Sequence, residues 1–112
     1  MISKDLVAAS ARPLVLAILE KGESYGYAII QDVRSLSGGE LAWSDGMLYP
    51  VLHRLEKEGL IKATWKMSDE GRRRRYYKVN RRGSRALVAE RRQWMAVHTT
   101  LSRLWGAETC ST

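Results

Sequence analysis

The tightest constraint on how this chain folds is a change of period just after Gly59. From Ile61 onward every second residue is apolar: Ile61, Ala63, Trp65 and Met67 share one face, and Lys62, Thr64, Lys66 and Ser68 the other. A return strand from Arg73 to Val79 sets Tyr77 and Val79 on one face and Arg74, Tyr76 and Lys78 on the opposite one. Between them Ser68-Asp69-Glu70-Gly71-Arg72 has turn composition, with Gly71 at the left-handed position. The stretch IKATWKMSDEGRRRRYYKV is therefore a β-hairpin, placed directly behind a helix.

Charge gathers on the same stretch. Residues 1–60 carry six Lys/Arg against eight Asp/Glu, residues 61–83 nine against two, and the remainder four against two. The formal net charge of +7 thus belongs to the hairpin and its flank, an electrostatic footprint rather than an even coat that aids solubility.

The other periods are helical. Ser10 is a candidate cap for a helix reaching Lys21, with Pro13 in its first turn and Gly22 as a left-handed terminator. The preceding SKDLVAA either extends this helix through a kink or packs as a separate arm, and the all-round apolar LVLAIL calls for burial on more than one side. A second helix, Tyr25 to about Ser37, places Ile29, Ile30, Val33 and Leu36 on one stripe and ends at Gly38-Gly39. Leu41 to Trp43 has room for a very short strand. Ser44 then caps a third helix running to Glu58, its inner face Leu48, Val51, Leu52 and Leu55 and its outer face Asp45, Gly46, Tyr49, His53 and Lys57. Asn80 caps a long last helix to about Gly106, and AETCST follows as a frayed tail.

With 112 residues the chain has material for one core. Its longest apolar run is too short for a bilayer span and no signal peptide fits, which points to the cytoplasm. A lone Cys110 supplies no intrachain disulfide, though it could crosslink a dimer, and His53 and His98 have no companions at ligand spacing. No cofactor or metal is implied. No phosphate loop and no nucleophile-base arrangement is present either, so the chain does not read as an enzyme.

Three helices followed by a basic hairpin describe a mainly α chain with a small β-hairpin, a winged helix-turn-helix plus a C-terminal dimerisation helix. In that arrangement the third helix enters a major groove of double-stranded DNA and the wing reaches phosphates. Arg72, Arg73, Arg74, Arg75 and Lys66 are suited to phosphate oxygens, while Ser44, Gly46, Tyr49, His53 and Lys57 form the face presented to base edges and backbone. Tyr49 could instead be a half-buried ring on the hairpin, and Ser44 is a cap in either case. The winged domain is expected over residues 1–80, the dimerisation helix over 81–106 and a flexible tail over 107–112.

Along the last helix Leu87, Trp94 and Leu101 recur every seven residues, with Glu90, Val97 and Leu104 interleaved, an a/d seam with one polar interruption. Packing on the first helix could cover it; a second copy of the chain covers it better, with Leu6 joining Leu87, Trp94, Val97, Leu101 and Leu104 at the interface, because paired readers match a palindromic operator. Trp94 and Trp105, with Met95 nearby, either fill that seam or line a cavity for a small aromatic effector.

Three runs carry a resemblance: Glu23-Ser24-Tyr25-Gly26-Tyr27; Ser44 through Ile61, reading SDGMLYPVLHRLEKEGLI; and Arg75-Tyr76-Tyr77-Lys78-Val79 with Gly83 beyond. Over about residues 10–105 the chain resembles the PadR family of bacterial transcriptional regulators, in the short subfamily with a single C-terminal helix. The resemblance implies a winged-helix homodimer, usually a repressor, whose last helix forms the dimer interface and whose Trp at the place of Trp94 in some members contacts aromatic drugs. Two features depart from the pattern: four consecutive arginines in the wing, and Pro13 where an apolar non-proline residue is usual. A winged-helix module that binds an acidic protein partner is the alternative from another class.

Overall fold

In the computed structural model, which describes residues 2–110 with side chains through residue 106, the elements run α1 (Lys4–Lys21), β1 (Ser24–Tyr25), α2 (Gly26–Leu36), α3 (Asp45–Lys57), β2 (Ile61–Met67), β3 (Arg73–Val79) and α4 (Arg81–Cys110). The fold is mostly helical, with a three-stranded antiparallel sheet in the order β1-β3-β2.

The first helix starts earlier than its sequence signals indicate. Ser3 is the cap, its Oγ accepting from the Leu6 N–H at 3.3 Å, and α1 continues through Pro13 without a break. Ser10 is not a cap. It lies inside α1 and its hydroxyl donates to the Leu6 carbonyl at 2.6 Å, a local bond that makes serine compatible with a helix interior. Gly22 is no left-handed terminator either, because its φ of 161° and ψ of 164° are extended, leading straight into β1.

That strand is the second correction. Leu41 to Trp43 forms no strand; Ser24-Tyr25 does, pairing with Tyr77 and Tyr76 of β3. A two-residue strand has no period to betray it, and only the arrival of β3 from more than fifty residues away creates its partner. The stripe on α2 is also shorter than expected: Ile29 and Val33 are buried, whereas Leu36, in the last turn, is exposed.

Elsewhere local chemistry and structure coincide. Ser44 Oγ accepts from the Met47 N–H at 3.3 Å and caps α3, whose Leu48, Leu52 and Leu55 are fully buried. The hairpin has the expected bounds, with Ile61 opposite Val79, Ala63 opposite Tyr77 and Trp65 opposite Arg75. Gly71 turns it at φ 79°.

Asn80 fastens the hairpin to α4. Its Oδ1 accepts from the Gly83 N–H at 2.9 Å, its Nδ2 donates to the Gly59 carbonyl at 2.7 Å, and its own N–H donates to the Leu60 carbonyl at 3.1 Å. Gly83 has no room for a side chain, since a Cβ there would collide with the Leu60 carbonyl and the Val79 side chain. One core results, with Val15, Leu16 and Leu19 of α1, Ile29 and Val33 of α2 and the three leucines of α3 closed by Trp43, Leu60, Ile61 and Tyr77.

Helix α4 outruns this core. Ala86 and Leu87 pack against it, but residues 91–100 are exposed throughout, and the molecule measures 54 × 29 × 22 Å. The helix continues to Cys110 rather than ending near Gly106. The expected tail over residues 107–112 therefore begins inside α4, while the side chains of residues 107–110, including the Cys110 thiol, and residues 111–112 lie outside what is described. Among the described residues no helix is long and apolar enough to cross a membrane.

Candidate nucleic-acid interface

Strand alternation divides the four arginines of the wing. Register pairs Trp65 with Arg75 and Met67 with Arg73, so these four share the face that nearer the base carries Ile61, Ala63, Tyr77 and Val79. At the base that face is core; at the tip it is exposed, with Trp65 half-covered and Met67 largely bare. The opposite face collects Lys66, Arg74 and Tyr76, with Tyr25 joined from β1.

Each face holds its cations against aromatic rings. The Arg73 guanidinium lies 4.8 Å from the centroid of Trp65 and that of Arg75 5.8 Å from it. Across the sheet, Arg74 sits 4.4 Å over Tyr25, Lys66 lies 5.6 Å over Tyr76, and the two tyrosines meet edge to face at 5.3 Å. Stacking leaves the N–H edges of a guanidinium open to an anion while limiting its freedom.

Carboxylates claim part of this charge. Arg75 donates to Glu56 at 2.9 Å, Lys66 to Glu23 at 2.5 Å and Arg74 to Glu70 at 3.4 Å. Among the described residues Arg72 and Arg73 contact no carboxylate. The pair Arg75–Glu56 joins the wing to α3, and its hydrogen bond to Glu56 raises the Arg75 pKa above the ordinary guanidinium value. Beneath it, burial pushes the Tyr77 hydroxyl's pKa up.

The cap Ser44 and, on α3, Gly46, Tyr49, His53 and Lys57 are all exposed. The Tyr49 ring is 39% exposed and shares a cleft with the hairpin residues Trp65 and Arg72 to Arg75. It covers the start of α2, where a Cβ on Gly26 would stand 2.7 Å from its hydroxyl. Tyr49 and Arg72 to Arg75 line one cleft of about 470 Å³, completed by Tyr25, Tyr27 and Trp65. The expected reading face and the wing therefore meet at Tyr49, while His53 and Lys57 lie farther along α3. Tyr25 and Trp65 were not among the expected site residues. Trp65 was detectable by following strand alternation past the core edge; Tyr25 had no such signal, because its neighbours in the site come from β3.

The seam residues divide differently. Leu87 packs on the core, Leu101 is half-buried, and Leu6, Val97 and Leu104 are exposed at 55%, 54% and 72%. Leu6 and Trp94 line an apolar groove of about 660 Å³ between α1 and α4, together with Leu14 and Leu41.

Comparison with known proteins fits this arrangement. Residues 15–89 match the Transcriptional regulator PadR-like family. Transcriptional regulator Rv3488 of Mycobacterium tuberculosis is 35% identical over 89 residues, 80% of this chain and 79% of that protein. A PadR-like transcriptional regulator from Bacillus cereus superposes with a TM-score of 0.79 at 30% identity, covering 90% of this chain and 96% of the other. A transcriptional regulator from Clostridium thermocellum superposes with a TM-score of 0.82 at 26% identity, covering 92% and 97%.

Proposed function

Because this chain belongs to the PadR-like family of transcriptional regulators, DNA-binding proteins and not enzymes, we propose that it acts in the cytoplasm as a homodimeric repressor on a palindromic operator. Helix α3 reads a major groove through Tyr49, His53 and Lys57, with Ser44 and Gly46 at its start near the backbone. The wing neutralises phosphates through Lys66 and Arg72 to Arg75. Two copies associate through α4, with Trp94, Val97, Leu101 and Leu104 central and Leu6 at the edge.

The observation that carries this reading is the shared cleft of Tyr49 and the four arginines, joined across by Arg75–Glu56. A cationic wing fixed beside an exposed, nearly neutral helix separates backbone attraction from base reading, as sequence-selective binding requires. The α1–α4 groove, lined by Trp94, suits a small flat aromatic effector that would change the separation of the paired reading helices.

The test is selection of bound DNA from a random pool, followed by titration of the recovered site against salt and a promoter reporter. Expected are a palindromic site with half-sites about one helical turn apart, a steep salt dependence and lower expression when the protein is present. Weak binding without sequence preference would sink the proposal and favour a module for an acidic protein partner.

A further inference from the structure

Glu90 interrupts the apolar seam one turn after Leu87 and one turn before Trp94, and its carboxylate is engaged. Arg12 of α1 donates from Nε to Glu90 Oε2 at 2.6 Å; from Nη1 and Nη2 it donates to the two oxygens of Glu58 at 2.8 Å each. Glu58 is the C-cap of α3. One planar cation therefore touches three helices, at the end of the helix that carries Tyr49 and His53 and at the point where α4 leaves the core.

The geometry favours orientation over stability as its task. A two-pronged fork on one carboxylate and an Nε bond to another constrain direction as well as distance, because the guanidinium is rigid and planar. Arg12 and Glu58 are 32% and 41% exposed, a setting in which an ion pair adds little to folding. Arg12 holds the Glu58 carboxyl below the usual range, so the fork is intact at neutral pH. Its neighbours Pro13 and Leu14 line the α1–α4 groove, as do Leu87, Arg91 and Trp94 on either side of Glu90.

We propose that Arg12 is a positioning residue which, through Glu90 and Glu58, sets the angle between α4 and α3 and thereby the half-site spacing the protein accepts. This rests on the reading of α4 as the dimerisation helix and α3 as the groove reader. The lever is long: with a rise of about 1.5 Å per residue, a tilt of about 10° at Glu90 displaces the Gly106 end by about 4 Å. A packed leucine tolerates such a tilt by sliding. A three-way guanidinium clamp adds a directional restraint that favours one angle.

The experiment uses the selected operator, with the distance between half-sites lengthened or shortened by single base pairs, titrated with the wild-type chain, Arg12→Gln and Glu90→Gln. Sedimentation and thermal melting accompany each titration. The wild type should prefer one spacing. Both variants should remain dimeric with an unchanged salt slope, yet lose roughly tenfold at the best spacing and respond almost equally to all spacings. The double variant should be no worse than the poorer single one, since both changes open the same clamp. Variants that melt earlier but keep the wild-type spacing profile would overturn the inference, leaving a merely structural ion pair. Should Arg12→Gln fail to fold, Glu90→Gln, which spares the fork on Glu58, decides alone by the same criterion. A wild type that is monomeric, or indifferent to spacing, would instead overturn the dimeric reading beneath the inference.

Discussion

The hairpin and α4 both extend past the core, and they meet water in opposite ways. The face of the hairpin that is apolar at Ile61 and Tyr77 becomes arginine at Arg73 and Arg75, stacked on Trp65. Helix α4 stays apolar as it leaves, with Val97, Leu104 and Trp105 exposed. A projection that ends in stacked cations is complete by itself until an anion arrives; one that ends in exposed aliphatics is complete only when covered. The first serves a ligand that comes and goes. The second suits a standing partner.

The contrast is sharpest if the tip loses its charge. Replacing Arg72 to Arg75 by Ala should lower DNA affinity at least about a hundredfold at moderate salt and reduce the salt slope by about 2 to 4, with Arg72 and Arg73 contributing most. Filter binding over a salt series measures both quantities, and a slope equal to the wild type's would take the wing out of the interface. On the other projection, Leu101→Glu should yield a folded monomer by sedimentation, with operator affinity reduced about tenfold or more because paired half-sites no longer act together. A dimer that persists would move the interface elsewhere.

Core and linkage changes should act on both regions alike. Leu52→Ala should cost about 2 to 5 kcal/mol in chemical denaturation, since the side chain is fully buried in the core. A smaller effect belongs to the stacked ring: Trp65→Ala should weaken DNA binding by about 0.5 to 1 kcal/mol with the salt slope preserved, whereas Trp65→Phe, which keeps a ring under Arg73, should lose less.

The smallest effect concerns pH. Glu58 has a depressed folded pKa, owing first to its hydrogen bonds from Arg12, so its stabilising share is present above the ordinary carboxylate value of 4.5 and is lost as pH falls through the lower folded value. Melting curves of Glu58→Gln should therefore differ from wild type at neutral pH and converge with it in acid. Curves separated equally at every pH would show that Glu58 does not titrate against Arg12.

Legibility followed the range of the interactions. The bounds of β2 and β3, the cap at Ser44 and the buried face of α3 were readable because alternation, capping and helical period act within a few residues. The start of α1 was misread because Ser3 and Ser10 are equal as local signals; what selects Ser3 is the run of α1 packed against α3 and α4, with Val7 and Ala11 contributing to the core. Strand β1 was missed because its hydrogen bonds belong to a distant partner. Glu90 was visible only as a blemish in a heptad, since the guanidinium that explains it lies 78 positions earlier in the chain.

Composition and period alone determined that this chain would place a cationic hairpin behind a capped helix and send a long, partly apolar helix away from them, for these follow from backbone stereochemistry and side-chain polarity. Tertiary packing decided which arginines face α3, which tyrosines stand beneath them and which carboxylates Arg12 clamps. Such contacts join elements whose separation along the chain carries no information about their distance in space, and only the closing of a common core brings them within the few ångströms over which hydrogen bonds and ring stacking act.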